Sequence, residues 1–229
     1  MKILNRDLKK RIITISHKYH LSHLGSVLTA VDIIEDIYSK MDIHRDKFIL
    51  SSGHAGLAQY VVIEKHQGKN AEDIFKHHGV HPDRCKECFI WASTGSLGHG
   101  IGIAVGMALA NRNRNIYCLI SDGECAEGSV WESLRVANEQ KLDNLNVYVN
   151  HNNYGAYKYI NNDELILKLN TYAPNLMNHV QTNFDDFPFL KGQDAHYKVM
   201  NWQEYKLALR ILDDDPVRED MDRLEEAVY

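Results

Sequence analysis

Ile116-Tyr-Cys-Leu-Ile120 runs straight into Ser121-Asp-Gly-Glu124, and further on Leu145-Asn-Val-Tyr-Val-Asn150 runs into His151-Asn-Asn153. Each is a short apolar run that stops at polar turn formers, the pattern of a buried strand. Between them, residues 129–140 carry the spacing of an amphipathic helix. A strand–helix–strand unit predicts a parallel sheet with right-handed crossovers. The fold class read from it is α/β: a central, mostly parallel sheet with helices on both faces.

Working outward, helices are predicted over residues 5–19 and 26–39. Leu8, Ile12 and Ile15 share one face of the first, and Val27, Ala30, Val31, Ile34 and Ile37 one face of the second. Phe48-Ile-Leu50 reads as a strand meeting the loop Ser51-Ser-Gly-His54, followed by helices to about His66 and over 71–78. Residues 79–97 read as irregular. A small-residue helix follows over 97–111, where Gly98, Gly102 and Gly106 lie four apart. Glycine costs helix stability, so this bare edge predicts close approach by another backbone or a ligand. Beyond residue 160 only a strand near 179–182 is legible. The domain is read as 1–212 and the charged stretch 213–229 as a solvated tail.

With 229 residues, 44% hydrophobic and 25% charged, the chain has a globular composition. A net charge of −5 argues against nucleic-acid binding through a basic stripe. No stretch reads as a signal peptide or a membrane span, and the four cysteines do not form a secreted disulfide pattern. The expected location is a reducing cytoplasm.

Asp122 and Asn152 each follow a predicted parallel strand, where open α/β sheets place their ligand crevice. A carboxylate and an amide carbonyl are hard oxygen donors suited to Mg²⁺ beside phosphate. Gly123 would let a backbone N–H approach a phosphate. The plainer alternative is two ordinary polar turns, since Asp-Gly and Asn-Asn favour them.

The wider chain bears on that choice. Ser121-Asp-Gly…Asn152-Asn resembles the thiamine diphosphate motif Gly-Asp-Gly…Asn-Asn. His20-Leu-Ser-His-Leu-Gly25, Arg45-Asp-Lys-Phe-Ile-Leu-Ser-Ser-Gly-His54, Gly79-Val-His-Pro-Asp83, Ser93-Thr-Gly-Ser-Leu-Gly-His-Gly100 and the run from Ser121 to Glu132 each resemble transketolase motifs, in family order. The chain is similar to the N-terminal, diphosphate-binding half of transketolase over about residues 8–157.

That resemblance implies thiamine diphosphate and Mg²⁺ as cofactors. Asp122, Asn152 and the backbone carbonyl of Tyr154 would hold the metal, and Gly123 would donate to phosphate. Gly95 and Leu97 would line the cofactor. His23, His54 and His81 would act near the reacting carbons, with His54 and His81 also touching the cofactor. Taken singly, each histidine could instead be a local helix-entry or loop residue. Glu127 and Glu132 match acids at the family's dimer contact, though each could be a plain helix acid.

The implied reaction is transfer of a two-carbon ketol unit from a ketose to an aldose. The sugar or sugar-phosphate substrates are not specified. Residues 155–229 are fewer than the ~100–150 of a second sheet domain. A separate subunit with the pyrimidine-binding domain is therefore expected, in a dimer of heterodimers. Rival readings are another ketol- or acyl-transferring enzyme of sugar biosynthesis, or a silent, shortened homologue acting as a binding partner. Ser121 replaces the motif's first Gly and His99 a Gln. The family's Asp-Gly-His-Asp segment is missing after Tyr154, which predicts altered substrate preference, and His196 resembles the family's Trp-His-Tyr.

Cys85-Lys-Glu-Cys88, with His77 and His81, could make a Zn²⁺ site, but closed structural sites show cleaner spacing. The preferred reading is a loop with two reduced thiols. Gly98-His-Gly-Ile-Gly102 follows no strand and lacks the dinucleotide spacing.

Overall fold

A computed structural model describes residues 4–155 and 158–213. Four strands form one sheet in the order β1-β2-β3-β4: β1 (Lys47–Leu50), β2 (Ile116–Ser121), β3 (Leu145–His151) and β4 (Met177–Gln181). Every neighbouring pair is parallel. Leu50 pairs with Leu119, Ser121 with Asn150, and Asn150 with Val180, so the polar strand exits open toward one edge of the sheet.

Strand alternation sorts the core into two layers. Phe48, Leu50 and Leu119 face α1 (Arg6–Lys18), α2 (Leu24–Lys40), α3 (Gly56–Gln67), α4 (Ala71–His78) and α8 (Trp202–Asp213). Ile49, Cys118, Ile120, Val147 and Val149 face α5 (His99–Ala110), α6 (Gly128–Glu139) and α7 (Asn162–Tyr172). Helices thus cover both faces, as the sequence implies. Fully enclosed side chains such as Ile34 and Ile120 each contribute about 1.5–3 kcal/mol relative to exposure.

The elements up to β3 lie where expected, within a few residues. The second helix starts early, at Leu24, because His23 takes a left-handed turn (φ 63°) just before it. Two helices are not legible in the sequence. α7 is capped by Asn161, whose side chain accepts the Glu164 N–H. α8 starts with a reciprocal box: Asn201 Oδ1 accepts the Glu204 N–H, and Glu204 Oε2 accepts the Asn201 N–H, each at 2.9 Å. Asp213 closes α8; the rest of the expected charged tail lies outside the described residues.

Two expectations need correction. Within the chain, the close approach expected along the glycine edge of α5 is met only at its start. Gly98 has φ 78°, and a Cβ there would collide with Ser129 Oγ and with Glu127 Cβ. Gly102 would meet only Ser133 Oγ, at 3.6 Å, and Gly106 nothing within 4 Å. Cys85 and Cys88 are not two separate thiols either: the structure joins their sulfurs.

Candidate active site

The sheet delivers three strand exits to one crevice of about 170 Å³. β1 brings Ser52 and His54, β2 brings Ser121 and Gly123, and β3 brings Asn150, Asn152 and Tyr154. The entry to α2 adds His23, and the irregular loop before α5 adds His81, Gly95 and Leu97. Of the catalytic, cofactor and metal residues expected from sequence, all but Asp122 line this crevice.

Asp122 lies just behind it, only 1% exposed. Its Oδ1 accepts the Gly123 N–H at 2.8 Å and its Oδ2 the Asn153 N–H at 2.7 Å. Burial pushes its pKa up to about 6, opposed by hydrogen bonds and not by a neighbouring cation. Asn152 Oδ1 accepts the Tyr154 N–H at 3.0 Å, and Asn153 turns the chain at φ 68°. A Cβ on Gly123 would lie 3.2 Å from Gly155 Cα and 3.7 Å from the Tyr154 carbonyl oxygen. Only glycine leaves that approach free. A buried carboxylate, an amide oxygen and a backbone carbonyl thus gather on adjoining strand exits. Such a donor set fits a small, hard cation and an anion held beside it.

Three imidazoles cluster in the same crevice. The ring of His23 lies 4.4 Å from that of His196 and 5.5 Å from that of His54, and His54 and His196 are 5.4 Å apart. Burial, then mutual repulsion with its imidazole neighbours, lowers the pKa of His54 to about 3 and of His23 to about 4. Burial lowers that of His196. The cluster is neutral near pH 7 and offers ring nitrogens that accept or donate single protons. His81 packs against Gly95, which has φ 152° and where an added Cβ would come within 3.0 Å of the His81 ring.

His196 is absent from the candidate residues read from sequence; its signal is the Trp-His-Tyr resemblance. Glu124 is absent too, and it is fully buried. Glu124 Oε1 accepts Ser51 Oγ–H at 2.7 Å and the Gly98 N–H at 2.8 Å, and its Oε2 accepts the Ser121 N–H at 3.1 Å. One carboxylate therefore ties β1, the start of α5 and β2 together beneath the crevice. Its only sequence signal is an acid inside an otherwise buried turn. Glu127 and Glu132 are exposed at α6, and Glu132 pairs with Arg135 at 2.5 Å.

Polar residues gathered at the exits of a parallel sheet define an α/β domain with its ligand crevice at the strand ends. Residues 10–187 match the family described as transketolase, thiamine diphosphate binding domain. The chain belongs to the transketolase family. It is 31% identical over 163 residues to an apulose-4-phosphate transketolase subunit of Phocaeicola vulgatus, covering 63% of this chain and 58% of that one. The corresponding apulose-4-phosphate transketolase subunit of Actinobacillus succinogenes is 29% identical over 245 residues, covering 84% and 88%. The crystal structure of transketolase from Campylobacter jejuni shares the fold, with a TM-score of 0.70 at 18% identity over 95% of this chain and 44% of that one. The chain thus spans less than two thirds of several of the relatives it matches, 20% in the case of human transketolase. No helix among the described residues is long and apolar enough to cross a membrane.

Proposed function

We propose that the chain is the diphosphate-binding subunit of a two-subunit, thiamine diphosphate-dependent transketolase. It would move a two-carbon ketol unit from a ketose to an aldose, both sugars or sugar phosphates. The observation that carries this is the meeting in one crevice of Gly123, Asn152 and Tyr154, backed by the buried Asp122, with neutral His23, His54 and His196. Asp122, Asn152 and the Tyr154 carbonyl are the residues that would hold Mg²⁺, and the Gly123 N–H, which donates to Asp122 Oδ1, would be the backbone donor to phosphate. When bound, thiamine diphosphate supplies the nucleophilic carbon for breaking a carbon–carbon bond beside a ketone.

The protein's part is placement and protons. Gly95 leaves room for the His81 ring, and Leu97 lines the same crevice. The imidazole trio moves protons to and from sugar hydroxyls near neutral pH, and its burial keeps it uncharged beside them. The crevice is smaller than the ~300–1,000 Å³ that encloses a drug-sized ligand, so it accepts one end of the cofactor. A second polypeptide would cover the pyrimidine end, which agrees with the word "subunit" in the names of two relatives. The pairs would then associate through α5 and α6, with Glu127 and Glu132 at the contact.

Calorimetric titration of the chain with thiamine diphosphate, with and without Mg²⁺, tests the site. Saturable binding that needs both Mg²⁺ and Asp122 is expected, and no binding with the partner subunit present would overturn the proposal.

A further inference from the structure

Away from the crevice, the loop after α4 folds into a tight turn. Cys85 and Ile90 close it with two backbone hydrogen bonds of 2.9 Å. Within it the Cys88 N–H donates to Cys85 Sγ at 3.2 Å, and Phe89 follows in the left-handed region at φ 59°. A bulky residue rarely adopts that conformation, so the turn is held by more than its own propensity. The last residue of α4, His78, aims Nε2 at Cys88 Sγ, 3.5 Å away. Ligand atoms of His78, Cys85 and Cys88 all lie within 4.8 Å of one another, and all three residues are half-buried. His77 and His81, the partners considered from the sequence, do not belong to this cluster.

We propose that His78, Cys85 and Cys88, with the cysteines reduced, form a Zn²⁺ site whose fourth position is taken by water. The Cys-x-x-Cys spacing and the mixed sulfur and nitrogen donors are those zinc takes. The Cys88 N–H already points at Cys85 Sγ, so the turn itself positions that sulfur. A helix C-terminus is a fixed platform for His78, and the short turn holds both sulfurs on one side. The joined sulfurs seen in the structure are the oxidised alternative of the same cluster. A dithiol or phosphine reductant breaks the S–S bond with two electrons and two protons. Zn²⁺ then binds both sulfurs and displaces those two protons. The site would staple the chain between α4 and the segment that carries Gly95 and Leu97. It stands independently of the proposed catalytic role.

The test uses the full chain, reduced with a phosphine and then dialysed against Zn²⁺ and against metal-free buffer. About one tightly held zinc per chain is expected. The same protein loaded with Co²⁺ should show sulfur-to-metal charge-transfer absorption in the near ultraviolet and visible bands of a four-coordinate ion. Cys88→Ser and His78→Ala should each lower affinity by about tenfold or more, the usual scale for a lost ligand or its support, and Cys88→Ser should weaken the charge-transfer band. Circular dichroism of each variant separates lost ligation from lost fold. Absence of zinc and of the cobalt bands in reduced wild type would overturn the proposal. So would folded variants that hold zinc as tightly as wild type.

Discussion

The backbone N–H of His23 donates to the carbonyl oxygen of His196 at 2.8 Å. This bond ties the entry of α2 to a short 3₁₀ turn late in the chain and brings the two rings to 4.4 Å. It uses only main-chain atoms, so replacing the His196 side chain leaves it intact. His196→Asn should keep the far-ultraviolet circular dichroism and thiamine diphosphate affinity of wild type. Turnover in the assembled enzyme should fall by about 10²–10⁴-fold, the cost of a missing proton-transfer group. Wild-type turnover would leave His196 as packing alone.

Asp122 sets a pH dependence for cofactor binding. Its folded pKa near 6 means that below that pH the apo site is protonated. A proton and a cation then compete for the same oxygens. Affinity for thiamine diphosphate with Mg²⁺ should fall by about tenfold per pH unit below 6 on that account. Asp122→Asn should weaken binding by at least ~1–3 kcal/mol and flatten the profile. Calorimetry from pH 5 to 8 reads both effects, and equal affinity for the two proteins would remove Asp122 from the metal site.

Fold stability has a pH dependence of its own. His23 and His54 have folded pKa values of about 4 and 3, below their unfolded values. Between those limits and about 6.5 the unfolded chain binds more protons, so stability falls as pH drops through that window. Asp122, with its raised pKa, acts in reverse: its burial penalty is present above about 6 and relieved as pH falls toward 4. His54→Gln should therefore lose less stability than wild type between pH 7 and 5, by a margin on the order of 1 kcal/mol. Denaturant titrations at the two pH values measure it, and parallel losses would contradict the burial of His54 as a neutral ring.

The part of this site that is legible in sequence lies where local chemistry speaks for itself. Asp122 and Asn152 follow apolar strands, and a strand exit carries its polar residue to the crevice whatever lies elsewhere. His196 and Glu124 are not legible as members because their roles are set by distant partners. Glu124 answers donors on Ser51 and Gly98, and His196 meets His23, none of which is near in sequence. The fold divides in the same way. α5 declares itself through its run of small apolar residues, whereas α7 and α8 depend on side-chain caps at Asn161 and Asn201 and on burial of a few residues such as Leu169 and Leu212.

Glu124 should prove structural. Removing its carboxylate leaves the Gly98 and Ser121 N–H groups and the Ser51 hydroxyl without an acceptor in a dry site. Each buried orphan costs about 1–3 kcal/mol; with three of them, offset in part by relief of the carboxylate's own burial, Glu124→Ala should destabilise the chain by about 2–5 kcal/mol. Glu124→Gln keeps one acceptor oxygen and should cost less. Chemical denaturation of the chain checks the order, and an unchanged midpoint for Glu124→Ala would show that water takes over the acceptor role.

The outer edge of α5 exposes Gly102, Ile103, Gly106 and Leu109, with Ile103 39% and Leu109 40% accessible. Small residues between apolar ones let two helices approach closely, and the exposed acids Glu127 and Glu132 lie at the start and within the neighbouring α6. In the isolated chain an added Cβ at Gly106 meets nothing within 4 Å. Gly106→Arg is thus free of clashes within the chain and removes a residue that costs a helix interior about 1 kcal/mol. The variant should fold at least as stably as wild type in thermal melts. It should nevertheless fail to form the larger assembly in sedimentation, and ketol transfer with the partner subunit should be lost with it. Wild-type chain without that partner should also show no transfer. A Gly106→Arg protein that assembles and turns over normally would move the contact away from α5, and full activity from the chain alone would refute the two-subunit arrangement.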